Sequence, residues 1–257
     1  MIKRSILSLI LLFLPLCSWA AVSLEVSPIR AEHAVQAGSS ETNAILVRNG
    51  GDEPTRIKVT VLDFSITEDG APLFRPPGDS PFSLSSFLTV NPVDFRLNPG
   101  QSRYVRYTLS IPEGTKEGGY FSAMSFETVP IVVPGKKVRK LLLKGRVMCI
   151  LYESLGSPLP SGEMLDLKKE KKDLFLTLKN KGEVYFRTKG GITIEDERGK
   201  VAEKISLPDC PVLPGAIRRI KVNLKEDLPE GEYLIKAEVD IGGRERLVGE
   251  KRFSIQE

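Results

Sequence analysis

The chain has 257 residues, with 37 Lys and Arg against 33 Asp and Glu, and its formal net charge is only +4. This balance is too even to indicate a nucleic-acid-binding protein. The single histidine, His33, has no nearby Ser or Cys nucleophile and no further metal ligands at suitable spacing, which favours a surface residue over a catalytic or metal-binding one.

The first twenty residues have the pattern of a cleaved signal peptide. Two basic residues are followed by an almost wholly apolar run over residues 6 to 16, and residues 18 to 20 are Ser-Trp-Ala, which supplies small residues for cleavage. The run is shorter than the roughly 18 apolar residues of a membrane span, and no later stretch is long enough for one. Cys17 raises the alternative of a lipoprotein, but the leucine before it is bulkier than a lipid-attachment site normally has. We expect an exported chain that begins near Ala21, without a membrane span.

Beyond this segment, apolar and polar residues alternate with a period of two. The pattern is clearest where Val105, Tyr107 and Leu109 alternate with polar residues, and no segment of comparable length has the apolar stripe of a helix. The same alternation recurs over residues 57 to 61, 174 to 178, 220 to 224 and 233 to 241. Turn signals rich in Gly, Pro and Asn separate the runs. The pattern predicts an all-β protein, and a mature chain of roughly 235 residues suits two immunoglobulin-like sandwiches of about 100 residues each.

Two internal sequence repeats support two related domains. The Pro-Gly turn at residues 99 and 100 recurs at residues 214 and 215, and a similar strand follows each copy. Each copy then leads to a Pro-Glu-Gly turn and to a strand that contains Tyr120 or Tyr233. A second sequence repeat pairs Asn49 with Asn180, each at a strand end before a turn. A Gly-, Pro- and Ser-rich stretch marks a linker between the two halves. The predicted organisation is a signal peptide over residues 1 to 20, a first domain over 21 to 155, the linker over 156 to 162 and a second domain over 163 to 257.

Two cysteines remain after removal of the signal peptide, Cys149 and Cys210, one in each predicted domain. Because neither domain can have an internal disulfide, the two either link the domains or stay reduced. We favour reduced thiols that pack as small core residues.

Part of the chain resembles a known family. The stretch FLTVNPVDFRLNPGQSRYVRY over residues 87 to 107, followed by Ile111-Pro112 and Tyr120-Phe121, is similar to the first domain of PapD-like periplasmic pilus-assembly chaperones of the chaperone/usher systems. So is the start of the mature chain, where Ser27-Pro28-Ile29-Arg30 leads to a strand ending in Arg48-Asn49. The resemblance covers roughly residues 22 to 153, whereas the second half shares only the sandwich pattern.

The resemblance implies an L-shaped pair of immunoglobulin-like domains that caps an incomplete pilin sandwich by lending it a strand. An unfinished sheet exposes unpaired N–H and C=O groups beside an apolar groove, and an added strand satisfies both. Residues 136 to 153 fit such a donor strand, because Leu141, Leu143 and Val147 share one parity and would point into the partner's groove. The alternative is that the leucines at 141 to 143 belong to the core of their own sandwich.

The resemblance also implies two basic residues in the cleft between the domains, which bind the terminal carboxylate of the subunit and fix the register of the donor strand. Arg30 takes the place of the first, and a guanidinium suits it because its planar fork can grip a carboxylate with two hydrogen bonds and keeps its charge. At the second place this chain has Met148 where a Lys is expected. Arg146 or Lys144, which share the parity of Met148, could stand in. The alternative for Arg30 is a solvated charge at a strand edge.

Sequence motifs of enzymes are missing: there is no Gly-rich phosphate loop, Cys-x-x-Cys, His-Glu-x-x-His or Gly-x-Ser-x-Gly. The acidic run at residues 195 to 197 suits solvated turn charge better than a metal site. We expect no catalysis, cofactor or metal. The leading hypothesis is a periplasmic chaperone or assembly factor for a pilin-like or other secreted subunit, with an outer-membrane usher as a further candidate partner. The alternative is a structural or adhesive immunoglobulin-like envelope protein that binds a protein or glycan surface.

Overall fold

The computed structural model describes residues 23 to 129, 144 to 170, 173 to 224, 228 to 243 and 246 to 255. In these ranges the regular elements are nineteen β-strands and one short 3-10 helix at Ser85–Phe87. The all-β fold predicted from the alternating pattern is therefore confirmed. No helix within the described ranges is long and apolar enough to cross a membrane, and the predicted signal peptide lies outside them.

The first domain is a sandwich of two sheets. Its strands are β1 (Leu24–Ser27), β2 (Arg30–Val35), β3 (Ser40–Asn49), β4 (Thr55–Ile66), β5 (Pro72–Arg75), β6 (Leu88–Asn91), β7 (Asp94–Leu97), β8 (Ser102–Ser110), β9 (Gly118–Val129) and β10 (Arg146–Leu155). One sheet has the order β1-β3-β8-β6, and the other has the order β2-β10-β9-β4-β5, with β7 also paired to β4. The β2–β10 pair is parallel, whereas β10 and β9 are antiparallel. Because β1 and β2 lie in different sheets, the chain crosses between the sheets at residues 28 and 29.

The alternating pattern places one side of each strand in the core. In β8, Val105, Tyr107 and Leu109 are buried, whereas the residues between them are exposed or half-buried. They pack against residues of the other sheet, among them Phe126 and Leu151, and form a single apolar core. Burial of an apolar side chain of this size contributes about 1.5–3 kcal/mol.

The second domain repeats the sandwich with its own core. Its strands are β11 (Gly162–Glu170), β12 (Asp173–Asn180), β13 (Phe186–Arg187), β14 (Lys189–Asp196), β15 (Val201–Ser206), β16 (Pro211–Val212), β17 (Ile217–Asn223), β18 (Gly231–Asp240) and β19 (Arg246–Ile255). They form sheets of order β11-β12-β17, β13-β16 and β15-β14-β18-β19. Leu174, Leu176 and Leu178 of β12 pack with Ile235 and Val239 of β18 in the core. Every strand pair between described residues lies within one domain or the other.

The two sequence repeats correspond to the same local structure in both domains. Asn49 and Asn180 are buried at the ends of β3 and β12. Each donates from its side-chain amide to two backbone carbonyls, and each accepts a hydrogen bond from the glycine N–H two residues later. Tyr120 and Tyr233 each donate their hydroxyl to the carbonyl four residues earlier, at 2.9 Å, which is the tyrosine corner of immunoglobulin-like sandwiches. The sequence repeats therefore contain residues that close loops in an equivalent way in the two domains.

The domains meet through an interdomain cluster on the outer face of the β2-β10-β9-β4-β5 sheet. Phe64, Phe121 and Tyr152 of the first domain pack there with Leu213 and Tyr185 of the second. The backbones also touch, because the N–H of residue 119 donates to the carbonyl of residue 183 at 2.6 Å. A Cβ on the glycine at 119 would lie 2.9 Å from a Cα of the second domain, so this approach requires glycine.

Candidate functional site

The strand predicted to be donated, β10, has one edge that the other described strands cover only in part. It pairs with β9 along its whole length, but with β2 only from Ile150 onward, where the Ile150 N–H donates to the Ile29 carbonyl at 2.9 Å. Residues 146 to 149 therefore have β9 on one side and, among the described residues, no strand on the other. An unpaired strand edge of this kind can accept another chain.

The two faces of β10 differ in character. Val147 is half-buried and packs on the core of the first domain, on the same side as the buried Cys149 and Leu151. Met148 lies on the outer face, together with Ile150 of the interdomain cluster. Of the three residues predicted to face the partner, Val147 is thus on the core side of the sheet, whereas Leu141 and Leu143 lie outside the described residues.

Arg146 and Lys144 are bound to the neighbouring strand. Arg146 Nη2 lies 2.7 Å and Lys144 Nζ 3.6 Å from the carboxylate of Glu127 on β9, and the hydrogen bond from Arg146 lowers the pKa of that carboxyl group. Arg30 is opposite Ile150 in the β2–β10 pair, four residues from Arg146. Four residues of strand span about 13 Å. The structure therefore does not bring these two cations to Arg30, and their role in the carboxylate anchor stays a prediction.

Arg30 lies at the boundary between the domains. It starts β2, its side chain is about half exposed, and its Nε is 3.1 Å from Glu32 Oε1. Its Nη1 is 3.6 Å from Oδ2 of Asp209, which belongs to the second domain. This is the region in which the resemblance places the first carboxylate-binding residue.

A second arginine, Arg187, faces the same carboxylate and was missed in the sequence. Arg187 is in β13, its side chain is only 16% exposed, and its Nε donates to Asp209 Oδ1 at 2.6 Å. Its Nη2 donates to the backbone carbonyl of Asp209 at 3.1 Å. The hydrogen bond from Arg187 and the charge of Arg30 hold the pKa of Asp209 below its usual value. The alternation with the buried Phe186 could have placed Arg187 on an outer face, but only the docking of the domains places it beside Arg30.

Two tyrosines cover the inner side of this region. The rings of Tyr152 and Tyr185, one from each domain, have centroids 4.4 Å apart. Burial and the nearby charge of Glu32 raise the pKa of Tyr185. Burial raises the pKa of Tyr152 to about 12. An open cleft of about 340 Å³ lies alongside, lined by Glu32, Tyr185 and Arg187 among other residues. A ligand in this cleft can reach Arg187, and the side chain of Arg30 is itself about half exposed to solvent.

His33 is half-buried and bound to a buried carboxylate rather than free on the surface. Its Nδ1 lies 3.0 Å from Oε1 of Glu153, whose side chain is 1% exposed. Glu153 is in register with His33 across the β2–β10 pair and shares the core-facing side of β10 with Leu151. Burial raises the pKa of Glu153. The pair joins the two strands at the inner side of the sheet.

Both described cysteines are free thiols. Cys149 is buried in the core of the first domain, where burial raises its pKa to about 12, and Cys210 borders the core of the second. They do not link the domains. Among the described residues there is no group of three His, Cys, Asp or Glu side chains that could hold a metal ion.

Comparisons with known proteins give structural matches alone. No family model and no curated protein matches the chain. The crystal structure of the class 5 fimbriae chaperone CfaA matches with a TM-score of 0.51 at 15% identity, over 89% of this chain and 99% of CfaA. Two further structures match with a TM-score of 0.49. One is a chaperone–tip adhesin complex of CFA/I fimbriae biogenesis, at 14% identity over 89% of this chain and 98% of that chain. The other is the YadV chaperone, at 10% identity over 90% of this chain and 99% of that chain. The likeness to CfaA shows that this chain has the fold of a fimbrial chaperone.

Proposed function

We propose that the chain is a PapD-like periplasmic chaperone that holds a secreted, β-rich, pilin-like subunit by donating a strand. The observation that carries the proposal is the edge of β10 at residues 146 to 149, which no other strand in the described part of the chain covers, in a chain with the fold of the CfaA chaperone. An incomplete sheet of a subunit can pair with this edge through backbone hydrogen bonds.

The side chains of the donor segment supply the apolar contacts. Val147 lies on the core side of the sheet, and a strand that continues β10 backwards has Leu143 and Leu141 on the same side as Val147. These two leucines would replace the missing core residues of the subunit, and each buried leucine side chain is worth about 1.5–3 kcal/mol. Leu142 has the opposite parity and would not enter the groove.

Arg30 would bind the terminal carboxylate of the subunit, since it lies between the domains and its guanidinium already faces a carboxylate. Arg146 and Lys144 are weaker candidates for the second cation, because both are engaged by Glu127. The cleaved signal peptide, the periplasmic location and an outer-membrane usher as a further partner belong to the same proposal. It involves no catalysis and no cofactor.

Co-expression with candidate pilin-like subunits tests the proposal. The wild-type chain should protect a cognate subunit from proteolysis and elute with it as a one-to-one complex. Leu143→Glu and Arg30→Ala should both weaken the complex, whereas the matched control Leu142→Glu should leave it intact. A subunit that remains protected in both the Leu143→Glu and Arg30→Ala variants contradicts the mechanism.

The rival function, a structural or adhesive pair of domains at the envelope, is favoured by Met148 at the place of an expected Lys. It also has a specific surface in its favour, because Val201 and Val248 are exposed on the β15-β14-β18-β19 sheet beside a concave region of about 580 Å³. Binding of a protein or glycan through that face would survive Leu143→Glu. Loss of binding in Val248→Asp, with Leu143→Glu unaffected, would support the rival.

A further inference from the structure

Two arginines from different domains share one carboxylate. Asp209 Oδ1 accepts a hydrogen bond from Arg187 at 2.6 Å, and Asp209 Oδ2 lies 3.6 Å from Arg30 Nη1. Each carboxylate oxygen therefore faces a different guanidinium. A carboxylate between the two domains is the group that this arrangement accommodates.

The side chain of Asp209 can leave without unfolding its loop. The loop backbone is fixed to Thr188, whose Oγ1 donates to the Pro208 carbonyl at 2.7 Å and accepts from the Cys210 N–H at 3.1 Å. Arg187 keeps its second hydrogen bond, to the backbone carbonyl of Asp209, when the carboxylate turns away. The side chain of Asp209 is about half exposed, so it can turn out into solvent. The arginines would remain in place around a vacated position.

We propose that Arg30 and Arg187 form a carboxylate-binding site across the domain boundary, and that the side chain of Asp209 is an internal occupant that an incoming carboxylate displaces. The partner in the cell is the terminal carboxylate of the subunit, a step that rests on the proposed function. Arg187 supplies from the second domain the cation that Met148 does not provide from β10.

The charge balance explains why displacement is required. Arg30, Arg187, Glu32 and Asp209 are joined by direct contacts and carry two positive and two negative charges. A further carboxylate would make this group net negative unless Asp209 left it. Removal of the Asp209 charge leaves the group net positive and should strengthen carboxylate binding.

N-acetylglycine, which has one amide and a free carboxylate, is a suitable probe, and N-acetylglycinamide is its uncharged control. Titration of the purified chain is followed through the arginine side-chain Nε–Hε signals by NMR. In Asp209→Asn, N-acetylglycine should shift the signals of Arg30 and Arg187 and bind at least about tenfold more tightly than to wild type, whereas the amide should shift neither. In the Asp209→Asn background, the further substitution Arg187→Gln should abolish the shift of the Arg30 signal that N-acetylglycine causes. The control substitution Arg56→Gln in the same background removes an ion-paired arginine of the first domain and should leave that shift intact.

Equal affinity of wild type and Asp209→Asn, or binding that persists in the Asp209→Asn, Arg187→Gln double variant, would overturn the site. Thermal unfolding of each variant shows whether it is folded, and Arg187→Lys, which keeps the charge, should retain part of the binding. The probe contains no subunit, so this result is independent of chaperone activity. If N-acetylglycine binds as expected and no subunit complex forms, the proposed function fails and the carboxylate site stands.

Discussion

The buried asparagine that ends β12 provides the sharpest test of how the sandwich is closed. Asn180 donates to the carbonyls of Val184 and Val212, both at 2.9 Å, and accepts from the N–H of Gly182 at 2.8 Å. Asn180→Ala removes all three hydrogen bonds and leaves their partners without the amide. At about 1 kcal/mol net for each bond, the second domain should lose about 3 kcal/mol of unfolding free energy. For a domain of this size that corresponds to a drop of roughly 12–24 °C in Tm.

Urea denaturation followed by circular dichroism measures this loss, and Asn223→Ala is the matched control, because Asn223 is exposed at the end of β17 in the same domain. The control should change the unfolding free energy by less than about 0.5 kcal/mol. Asn49→Ala should cause a loss similar to that of Asn180→Ala, in the first domain, since it removes the same three contacts. An Asn180→Ala variant as stable as the control would refute the reasoning.

Three further predictions concern the core, the domain contact and the thiols. Burial raises the pKa of Glu153, so its contribution to stability is lost as pH rises through the folded-state pKa. Glu153→Gln should therefore gain stability relative to wild type between pH 4 and pH 8, and urea titrations that show the same difference at both pH values would contradict this. Tyr185→Ala removes a ring that packs against Tyr152 across the domain boundary and should cost roughly 1–3 kcal/mol. Tyr104→Ala, at an exposed position, should cost less than about 0.5 kcal/mol in the same assay. A disulfide reagent should label Cys210 in the folded chain and reach Cys149 only on unfolding, because Cys149 is buried and its pKa is raised to about 12. Equal labelling rates for the two cysteines would contradict the packing of the first domain's core.

Much of the fold could be predicted from the sequence because a period of two directly encodes which side of a strand faces the core. Val105, Tyr107 and Leu109 are buried as their alternation indicates. The repeat that pairs Asn49 with Asn180 was visible as well, since each asparagine accepts a hydrogen bond from the glycine only two residues later. Local patterns of this kind need no knowledge of distant contacts.

The candidate site was only partly predictable, because it depends on contacts between residues far apart in sequence. The parallel pairing of β2 with β10 sets Arg30 opposite Ile150 and away from Arg146, and no local pattern encodes that register. Arg187 looked like one charge among many until the interdomain cluster placed β13 beside β2. Glu153 was missed for a different reason: its parity with Leu151 places it in the core, where a carboxylate is unusual.

Amide hydrogen exchange of the chain, free and in complex with a co-expressed subunit, tests strand donation most directly. Within residues 141 to 149, the amides that do not point at β9 should exchange at least about a hundredfold more slowly in the complex, because a ladder with the subunit would protect them. Unchanged exchange over these residues, with protection confined to the β15-β14-β18-β19 sheet of the second domain, would contradict donation from β10.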